Sequence, residues 1–154
     1  MHRLVPFVAA FALLAAPALA APVTQPPAAI ATLAHAIVGA ANANDASKLR
    51  GIYTDDAVVI DEDPPFVWRG ANAGVMWWRS VAKIIATKHA TLHAAGLPFT
   101  EYRVDGDDAY LIQPMRIEKS AGGHTMVERG MQTYTFHRAR GVWKISSAVW
   151  TTTP

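Results

Sequence analysis

The residues of this chain best suited to chemistry are three consecutive carboxylates at 61–63, which directly follow a β-branched run at 58–60. Such a run predicts a β-strand, and Pro64 and Pro65 then end it. A carboxylate at the end of a strand can lie at the mouth of a cavity, where loss of water raises its pKa toward the range useful in acid–base catalysis. The sequence therefore makes Asp61 a candidate general base, with a solvated acidic turn as the alternative.

Two later segments supply neighbours for an inward-facing carboxylate. Strand alternation puts one set of side chains on a single face of each segment: Gln132, Tyr134 and Phe136 in the first, and Ser146, Ala148 and Trp150 in the last. A wall formed by Tyr134, Phe136 and Trp150 would exclude water from Asp61 and raise its pKa.

Further aromatic residues are candidates for contact with a ligand, although core packing is the alternative for each of them. These candidates are Trp78, Tyr53 and Trp68. Trp77 is about 100° from Trp78 around a helix, so it is expected to lie half exposed or to meet a partner subunit. Trp143 has the opposite parity to Trp150, which predicts that it packs on the other side of the sheet.

The histidines give only a weak signal for chemistry. His89 and His93 have the spacing of two metal ligands on a helix, but their segment reads better as a helix end leading into a strand, and no third ligand stands nearby. His137 is expected at the surface, and His35 is a weaker candidate for a residue that reaches the cavity. We predict no metal and no cofactor, and the sequence has no phosphate-binding glycine loop and no nucleotide fingerprint.

The elements that must position these residues follow from periodicity and turn signals. Helices are predicted at 28–43, 45–53 and 71–87, with Asp45 as an N-cap and residues 55 and 56 in a turn. Strands are predicted at 57–61, 66–69, 89–95, 99–104, 109–118, 125–138 and 142–152. Helices grouped before long hairpins indicate an α+β fold, with a curved antiparallel sheet covered by helices on one face.

Composition and the N-terminus limit the class of protein. A basic start, an apolar run and Ala18-Leu19-Ala20 predict a signal peptide at 1–20, followed by an Ala/Pro tether at 21–27 and a single domain at 28–154. We therefore expect a periplasmic or secreted protein with no membrane association after cleavage. With no cysteine, thiol chemistry is excluded. Because 14 scattered Lys and Arg face 12 Asp and Glu, no nucleic-acid partner is expected.

The order of these elements resembles the nuclear-transport-factor-2-like superfamily, especially its SnoaL-like and ketosteroid-isomerase-like branch, over roughly residues 30–152. The resemblance is carried by short motifs in this order: Asn44-Asp45, the Tyr-x-Asp-Asp-Ala of residues 53–57, Trp68-Arg69-Gly70, the Gly-Asp-Asp-Ala-Tyr of 106–110, and the segments 130–136 and 141–145. It implies a cone in which a bent sheet wraps around helices and encloses an apolar pocket. It also implies a homodimer, because related proteins often pair through the other side of the sheet.

The functional residues of ketosteroid isomerases are matched at some positions of this sequence and not at others. Asp61 lies eight residues after Tyr53, as the general base of ketosteroid isomerases does. The oxyanion-hole tyrosine of those enzymes falls on Ile37, which cannot donate a hydrogen bond, and their second donor falls on Gln132 or Thr133. Loss of one such donor costs roughly 10²–10³ in rate, which argues against an efficient steroid isomerase.

Taken together, the sequence predicts an exported domain that binds a small apolar or amphipathic molecule. Asp61 would move a proton in an isomerisation, cyclisation or dehydration, Gln132 or Tyr134 would hold the developing oxyanion, and Phe136 and Trp150 would clamp the substrate. The alternative is a non-catalytic module for ligand binding or dimeric assembly. A third interpretation is an interaction protein whose cone is filled by side chains.

Overall fold

A computed structural model describes residues 25–153, which form one sheet packed against helices. The helices are α1 (Ala28–Ala43), a 3-10 turn (Ala46–Leu49) and α2 (Ala73–Thr87). The strands are β1 (Tyr53–Ile60), β2 (Val67–Arg69), β3 (Thr91–Gly96), β4 (Glu101–Asp105), β5 (Asp108–Ala121), β6 (His124–Ala139) and β7 (Val142–Thr152). The predicted α+β fold is confirmed. The predicted signal peptide and residues 21–24 of the tether lie outside the described residues.

The seven strands form one open sheet in the order β2-β1-β7-β6-β5-β3, with β4 also paired to β5. The hairpins of β5, β6 and β7 are antiparallel, as expected, but β1 runs parallel to β7. The sheet is therefore mixed. A long connection permits this pairing, since parallel neighbours cannot be joined by a tight turn.

The two faces of the sheet differ in burial along neighbouring rows. Val59, Ala148, Tyr134 and Leu111 pair side by side across four strands, and all four are buried against the helices. The next row along the strands is Ile60, Val149, Thr133 and Ile112, which points to the opposite face and is only partly covered. This alternation follows from the two-residue period of a strand.

The helices cover the inner face of the sheet through narrow apolar stripes. Residues of α1 at the spacing of one helical face are buried, among them Ile30, Ala34 and Ile37. Asn42 ties the end of α1 to β3, because its side chain donates to the carbonyl of Ala94 at 2.8 Å and accepts from the amide of the same residue at 2.7 Å. No helix in the described part of the chain has the length and apolar character needed to cross a membrane.

Two predictions made for residues 45–56 are wrong. The helix predicted at 45–53 is only a short 3-10 turn, although Asp45 does cap it by accepting a hydrogen bond from the amide of Ser47 at 2.9 Å. Asp55 and Asp56 lie within β1 and not in a turn. The register with β7 shifts between Tyr53 and Val58, so the extra residues fit within the strand as an irregularity.

A second irregularity changes which residues of β7 face inward. Thr135 pairs with Ser147, whereas the next residue, Phe136, pairs with Ile145, so Ser146 is an extra residue in a bulge. Ile145 is fully buried on the inner face, and the Ser146 hydroxyl lies 2.8 Å from that of Thr135 on the other face. The predicted inward position of Ser146 is therefore wrong.

The same bulge reverses the parity of Trp143. Trp143 pairs with Arg138 and lies two residues before Ile145, so it lies on the same face as Ile145, partly buried against the core. The Arg138 guanidinium lies 5.1 Å from the centre of the Trp143 ring. The prediction that Trp143 packs on the far side of the sheet is therefore wrong.

Candidate functional site

A narrow cavity of about 60 Å³ lies between the two α-helices and the inner face of the sheet. Its walls are mainly apolar, and they include Ile37 and Ala41 of α1, Trp77 and Trp78 of α2, and Trp150 of β7. Polar and charged side chains also line it: Asp61 and Gln132, together with Glu62, Asp63, Lys119 and Glu128. An apolar cavity with a few convergent polar groups is the usual form of a small-molecule site.

Asp61 directly follows β1 and is held by two hydrogen bonds. The indole N–H of Trp77 donates to Oδ2 at 2.7 Å, and the amide of Asp63 donates to Oδ1 at 3.2 Å. The turn that carries Asp61 is closed by its own amide, which donates to the carbonyl of Phe66 at 3.1 Å. The carboxylate is thus fixed at the cavity and retains lone pairs that no donor among residues 25–153 uses.

The environment of Asp61 makes it a better base than an ordinary aspartate. Burial raises the pKa of its carboxyl group above the usual value of 3.8. The hydrogen bonds from Trp77 and Asp63 act in the opposite direction, and the charges of Asp63 and Glu62 add to the increase. Because burial is the largest effect, the net shift is upward, toward the range in which a carboxylate can accept and return a proton near neutral pH.

Gln132 and Trp150 stand opposite each other on β6 and β7 and complete the inner wall. Gln132 is 7% exposed, and its neighbour Thr133 points to the other face of the sheet. Of the two residues that sequence reasoning left open as the second donor, Gln132 is therefore the one that faces the cavity.

Gly130 creates the space that the Trp150 ring occupies. A Cβ atom at this position would lie 2.5 Å from Cη2 of Trp150 and 2.5 Å from the carbonyl oxygen of Thr151. Sequence reasoning missed this residue, although a glycine within a long strand is a recognised sign of close approach.

Tyr134, which was predicted to hold the oxyanion, and three of the predicted ligand contacts do not line the cavity. Tyr134 and Phe136 are buried in the core with ring centres 5.8 Å apart, and neither lines the cavity. Trp68 is also buried, and its indole N–H donates to the hydroxyl of Ser80 at 3.3 Å. Tyr53 lines only a recess shared with Asp61, and that recess is too narrow to admit water.

The hydroxyl groups of Tyr53 and Tyr134 are buried, and neither has a hydrogen-bond partner among residues 25–153. Burial raises the pKa of both hydroxyls, and the proximity of Tyr53 contributes further to the shift at Tyr134. Both phenols therefore stay neutral. Of the residues predicted to contact a ligand or catalyse, Asp61, Gln132, Trp78 and Trp150 are brought together at the cavity, and the roles of the others stay predictions.

Trp77 is the functional neighbour that sequence reasoning did not identify. Trp77 is partly exposed, which agrees with the expected half-exposed position. Its indole N–H also donates to Asp61, and its ring lies 5.6 Å from that of Trp78. Both neighbours reach the cavity because Trp78 faces the core and Trp77 stands at the edge of the same helical face. The adjacent pair of indoles was the only sequence signal for this contact.

The four histidines considered as candidates do not line this cavity. His35 stacks on Phe99 with ring centres 5.8 Å apart, and His137 lies 2.8 Å from the Asp108 carboxylate at the surface. His89 lies in the turn after α2 and His93 on β3, so they do not share a helix. Within the described part of the chain, no group of three or more His, Asp or Glu residues is placed to hold a metal ion.

Comparison with known families assigns most of this chain to one domain type. Residues 30–150 match the model of the SnoaL-like domain. This range contains the cavity and every residue of the candidate site. No curated protein matches the sequence.

Solved structures with the same fold have low sequence identity. A type 2 hexachlorocyclohexane dehydrochlorinase, LinA, superposes with a TM-score of 0.72 at 18% identity, covering 82% of this chain and 84% of that one. A ketosteroid isomerase-like protein from Erwinia carotovora atroseptica gives a TM-score of 0.66 at 18% identity, covering 82% and 96%. An NTF2-like protein with a cystatin-like fold from Novosphingobium aromaticivorans gives 0.66 at 16% identity, covering 80% and 79%. At these identities the likeness establishes the fold alone.

Proposed function

The chain belongs to the SnoaL-like domain family, and from this premise we propose that it binds a small apolar or amphipathic molecule and transfers a proton with Asp61 as the base. The reaction would be of the isomerase, cyclase or dehydratase type. The observation that carries the proposal is the position of Asp61, a partly buried carboxylate fixed by Trp77 at the wall of a mainly apolar cavity.

The proposed step uses two polar groups of the cavity. The ionised Asp61 carboxylate removes a proton from a carbon next to a carbonyl group. The electron pair of the C–H bond becomes the C=C bond of an enolate, and the π pair of the carbonyl group moves onto its oxygen. The side-chain amide of Gln132 donates a hydrogen bond to that oxygen, and the protonated carboxyl group of Asp61 returns the proton to the same or a neighbouring carbon. Ile37 offers no second side-chain donor, so a modest rate is expected.

Two of the similar structures carry names that agree with this class of chemistry. One is named a dehydrochlorinase and another a ketosteroid isomerase-like protein. This agreement supports proton transfer as the class to test first and leaves the substrate open.

The size of the cavity favours one alternative, a non-catalytic binding or assembly module. Its volume of about 60 Å³ is well below the roughly 300–1,000 Å³ of ligand pockets that enclose their ligand. In such a module Asp61 would stabilise its turn, and the indoles would fill most of the cone.

Substitution of Asp61 separates the two functions. Deuterium uptake from D₂O into short β,γ-unsaturated ketones, followed by proton NMR, reports proton abstraction whatever product forms. We expect Asp61→Asn to lose roughly 10²–10⁴-fold in exchange rate while it keeps its affinity for the ketone. Asp56→Asn, at an exposed position on β1, is the matched control. Equal rates in wild type and Asp61→Asn would favour the binding module.

Export and assembly complete the proposal. The apolar leader at 1–20 supports a periplasmic or secreted location after cleavage, tested by N-terminal sequencing of the protein from the native host. The partly covered outer row of the sheet supports a homodimer that pairs through this face.

A further inference from the structure

The cavity beside Asp61 adjoins a larger space, which we call the outer groove. The groove has a volume of about 500 Å³ and lies between the second half of α2 and the β5–β6 hairpin. Ile84 and Ile85 form its helix wall, and Thr125 and Met126 form its hairpin wall. Lys88 and His124 lie along the same groove.

Five residues line both the cavity and the groove, and we call this set the waist: Glu62, Asp63, Val81, Lys119 and Glu128. The two spaces are therefore adjacent, and four of the five residues between them are charged.

The volumes determine how a ligand can be placed. A water molecule needs roughly 10–15 Å³ of such volume, so the cavity of about 60 Å³ accepts only a handful of non-hydrogen atoms. The groove adds about 500 Å³, which brings the combined space into the usual range for a ligand site. A ligand that fills both spaces is therefore narrow at its Asp61 end and continues past the waist into the groove.

The charges of the waist determine which ligand can pass. It contains three carboxylates and one ammonium group. The Lys119 ammonium is engaged by Oε2 of Glu128 at 2.6 Å. The Glu128 side chain is 12% exposed, and its Oε1 has no hydrogen-bond partner within the residues that the structure describes.

An anionic group would meet net negative charge at the waist, and repulsion would be strongest beside Glu128, whose side chain is 12% exposed. A hydroxyl or ammonium group would instead supply the donor that the buried Oε1 lacks, which relieves the cost of an unpaired buried acceptor. The waist therefore selects for a hydrogen-bond donor and against a carboxylate.

We propose that the ligand is an elongated neutral or cationic molecule that spans both spaces. Its small apolar end lies beside Asp61, a hydroxyl or ammonium group lies at the waist near Glu128, and its apolar body lies in the outer groove against Ile84 and Met126. The proposal rests on the proposed function only for which end of the ligand reacts. Ligand selection by length and charge is independent of any chemistry.

Non-reactive probes of equal chain length test the charge of the ligand. Octylammonium, octan-1-ol and octanoate are titrated into the wild-type protein by calorimetry at pH 7 and low salt. We expect affinity to fall in that order, with at least a tenfold difference between octylammonium and octanoate that narrows as salt is added. Octanoate binding as tightly as octylammonium, or no binding by any of the three, would overturn the proposal.

Chain length and two matched substitutions test the groove. From butylammonium to octylammonium, affinity should rise about threefold to fourfold per methylene. Met126→Ser should weaken octylammonium severalfold and leave butylammonium unchanged, whereas Val142→Ser should change neither. The two residues are matched controls because they are 58% and 59% exposed and only Met126 lines the groove. Affinity independent of length, or equal effects of the two substitutions, would contradict the proposed groove.

Substitution of waist carboxylates tests the selection itself. Glu128→Gln should reduce the ratio of octylammonium to octanoate affinity, and Glu62→Gln tests the same charge effect at an exposed position without disturbing the ion pair. An unchanged ratio in both variants would rule out selection at the waist. If the wild-type protein shows the expected selection by charge and length but catalyses no deuterium exchange, only the proposed function is contradicted.

Discussion

At the scale of single residues, the site depends on a balance at Asp61 between burial and hydrogen bonding. Burial disfavours the ionised carboxylate, and the indole N–H of Trp77 favours it. The 2.7 Å hydrogen bond from the neutral indole lowers the pKa by less than burial raises it, so the net shift is upward. Trp77 is therefore a positioning residue that also adjusts the pKa of the proposed base.

Trp77→Phe should raise the pKa of Asp61 further, because burial then acts with less opposition. The side-chain carboxyl carbon of Asp61, followed by ¹³C NMR against pH, should titrate at a higher midpoint in the variant. In a plot of deuterium-exchange rate against pH, the low-pH limb should likewise move to higher pH. Trp143→Phe is the control, since that ring contacts Arg138 and not Asp61. A midpoint that is unchanged or lower in Trp77→Phe would disprove the role of this donor.

Asp61→Asn should stabilise the fold at neutral pH. The pKa of Asp61 is raised in the folded protein, so the folded state binds more protons than the unfolded state just above pH 3.8, and stability falls as pH rises through the folded pKa. The side chain of Asn cannot ionise, so the variant does not lose this stability as pH rises. The Tm of Asp61→Asn should exceed that of wild type at pH 7, and the gap should shrink as pH falls toward 3.8. Scanning calorimetry at both pH values measures it, and a lower Tm at pH 7 would contradict the expectation.

At the scale of the elements, the position of the site depends on how closely α2 approaches β1. Tyr53, the first residue of β1, lies against Gly74 in the first turn of α2. A Cβ atom at Gly74 would overlap the edge of the Tyr53 ring. The absence of a side chain at this point lets α2 bring Trp77 within hydrogen-bonding distance of Asp61.

Two glycine substitutions test this contact. Gly74→Ala should destabilise the protein by about 1–3 kcal/mol, because it overpacks a buried contact. Gly39→Ala is the matched helical control: nothing lies within 4 Å of its added Cβ in α1, so it should stabilise by about 0.5–1 kcal/mol. Urea unfolding of both variants gives their free energies of unfolding. If the two substitutions change this free energy by similar amounts, α2 can move away from Tyr53 at little cost.

At the scale of the whole molecule, the sheet has one face that its own helices do not cover. The outer row of Ile60, Val149, Thr133 and Ile112 crosses four strands and remains partly exposed. A contiguous apolar row of this kind favours association through the sheet face. This face is where we place the proposed homodimer contact.

Val149→Glu should convert the proposed dimer into a monomer, because it places a charge in the middle of that row. Light scattering after size-exclusion chromatography should give twice the chain mass for the wild type and one chain mass for the variant. Val142→Glu, at an exposed position beside the β6–β7 turn, should remain dimeric. A monomeric wild type at micromolar concentration would refute the dimer.

Local patterns in the sequence were sufficient for much of the fold. The spacing of Ile30, Ala34 and Ile37 predicts α1 with its correct bounds, and the glycine turns predict the long β5, β6 and β7 hairpins. The β-branched run at 58–60 predicts a strand, and Asp61 is the residue that directly follows it. These features depend on residues close together in the chain, where backbone geometry and side-chain period act directly.

Tertiary structure alone decided the details that make the cavity a site. The parallel pairing of β1 with β7 and the hydrogen bond from Trp77 to Asp61 join separate segments of the chain. The bulge that moves Ser146 to the outer face depends on the register between β6 and β7. A single extra residue in β7 reverses the side-chain parity on one side of it, and no local pattern marks where the strand absorbs that residue. Neighbouring residues were enough to place a carboxylate directly after β1. Packing between distant segments determined what surrounds it, because a cavity exists only where separate elements meet.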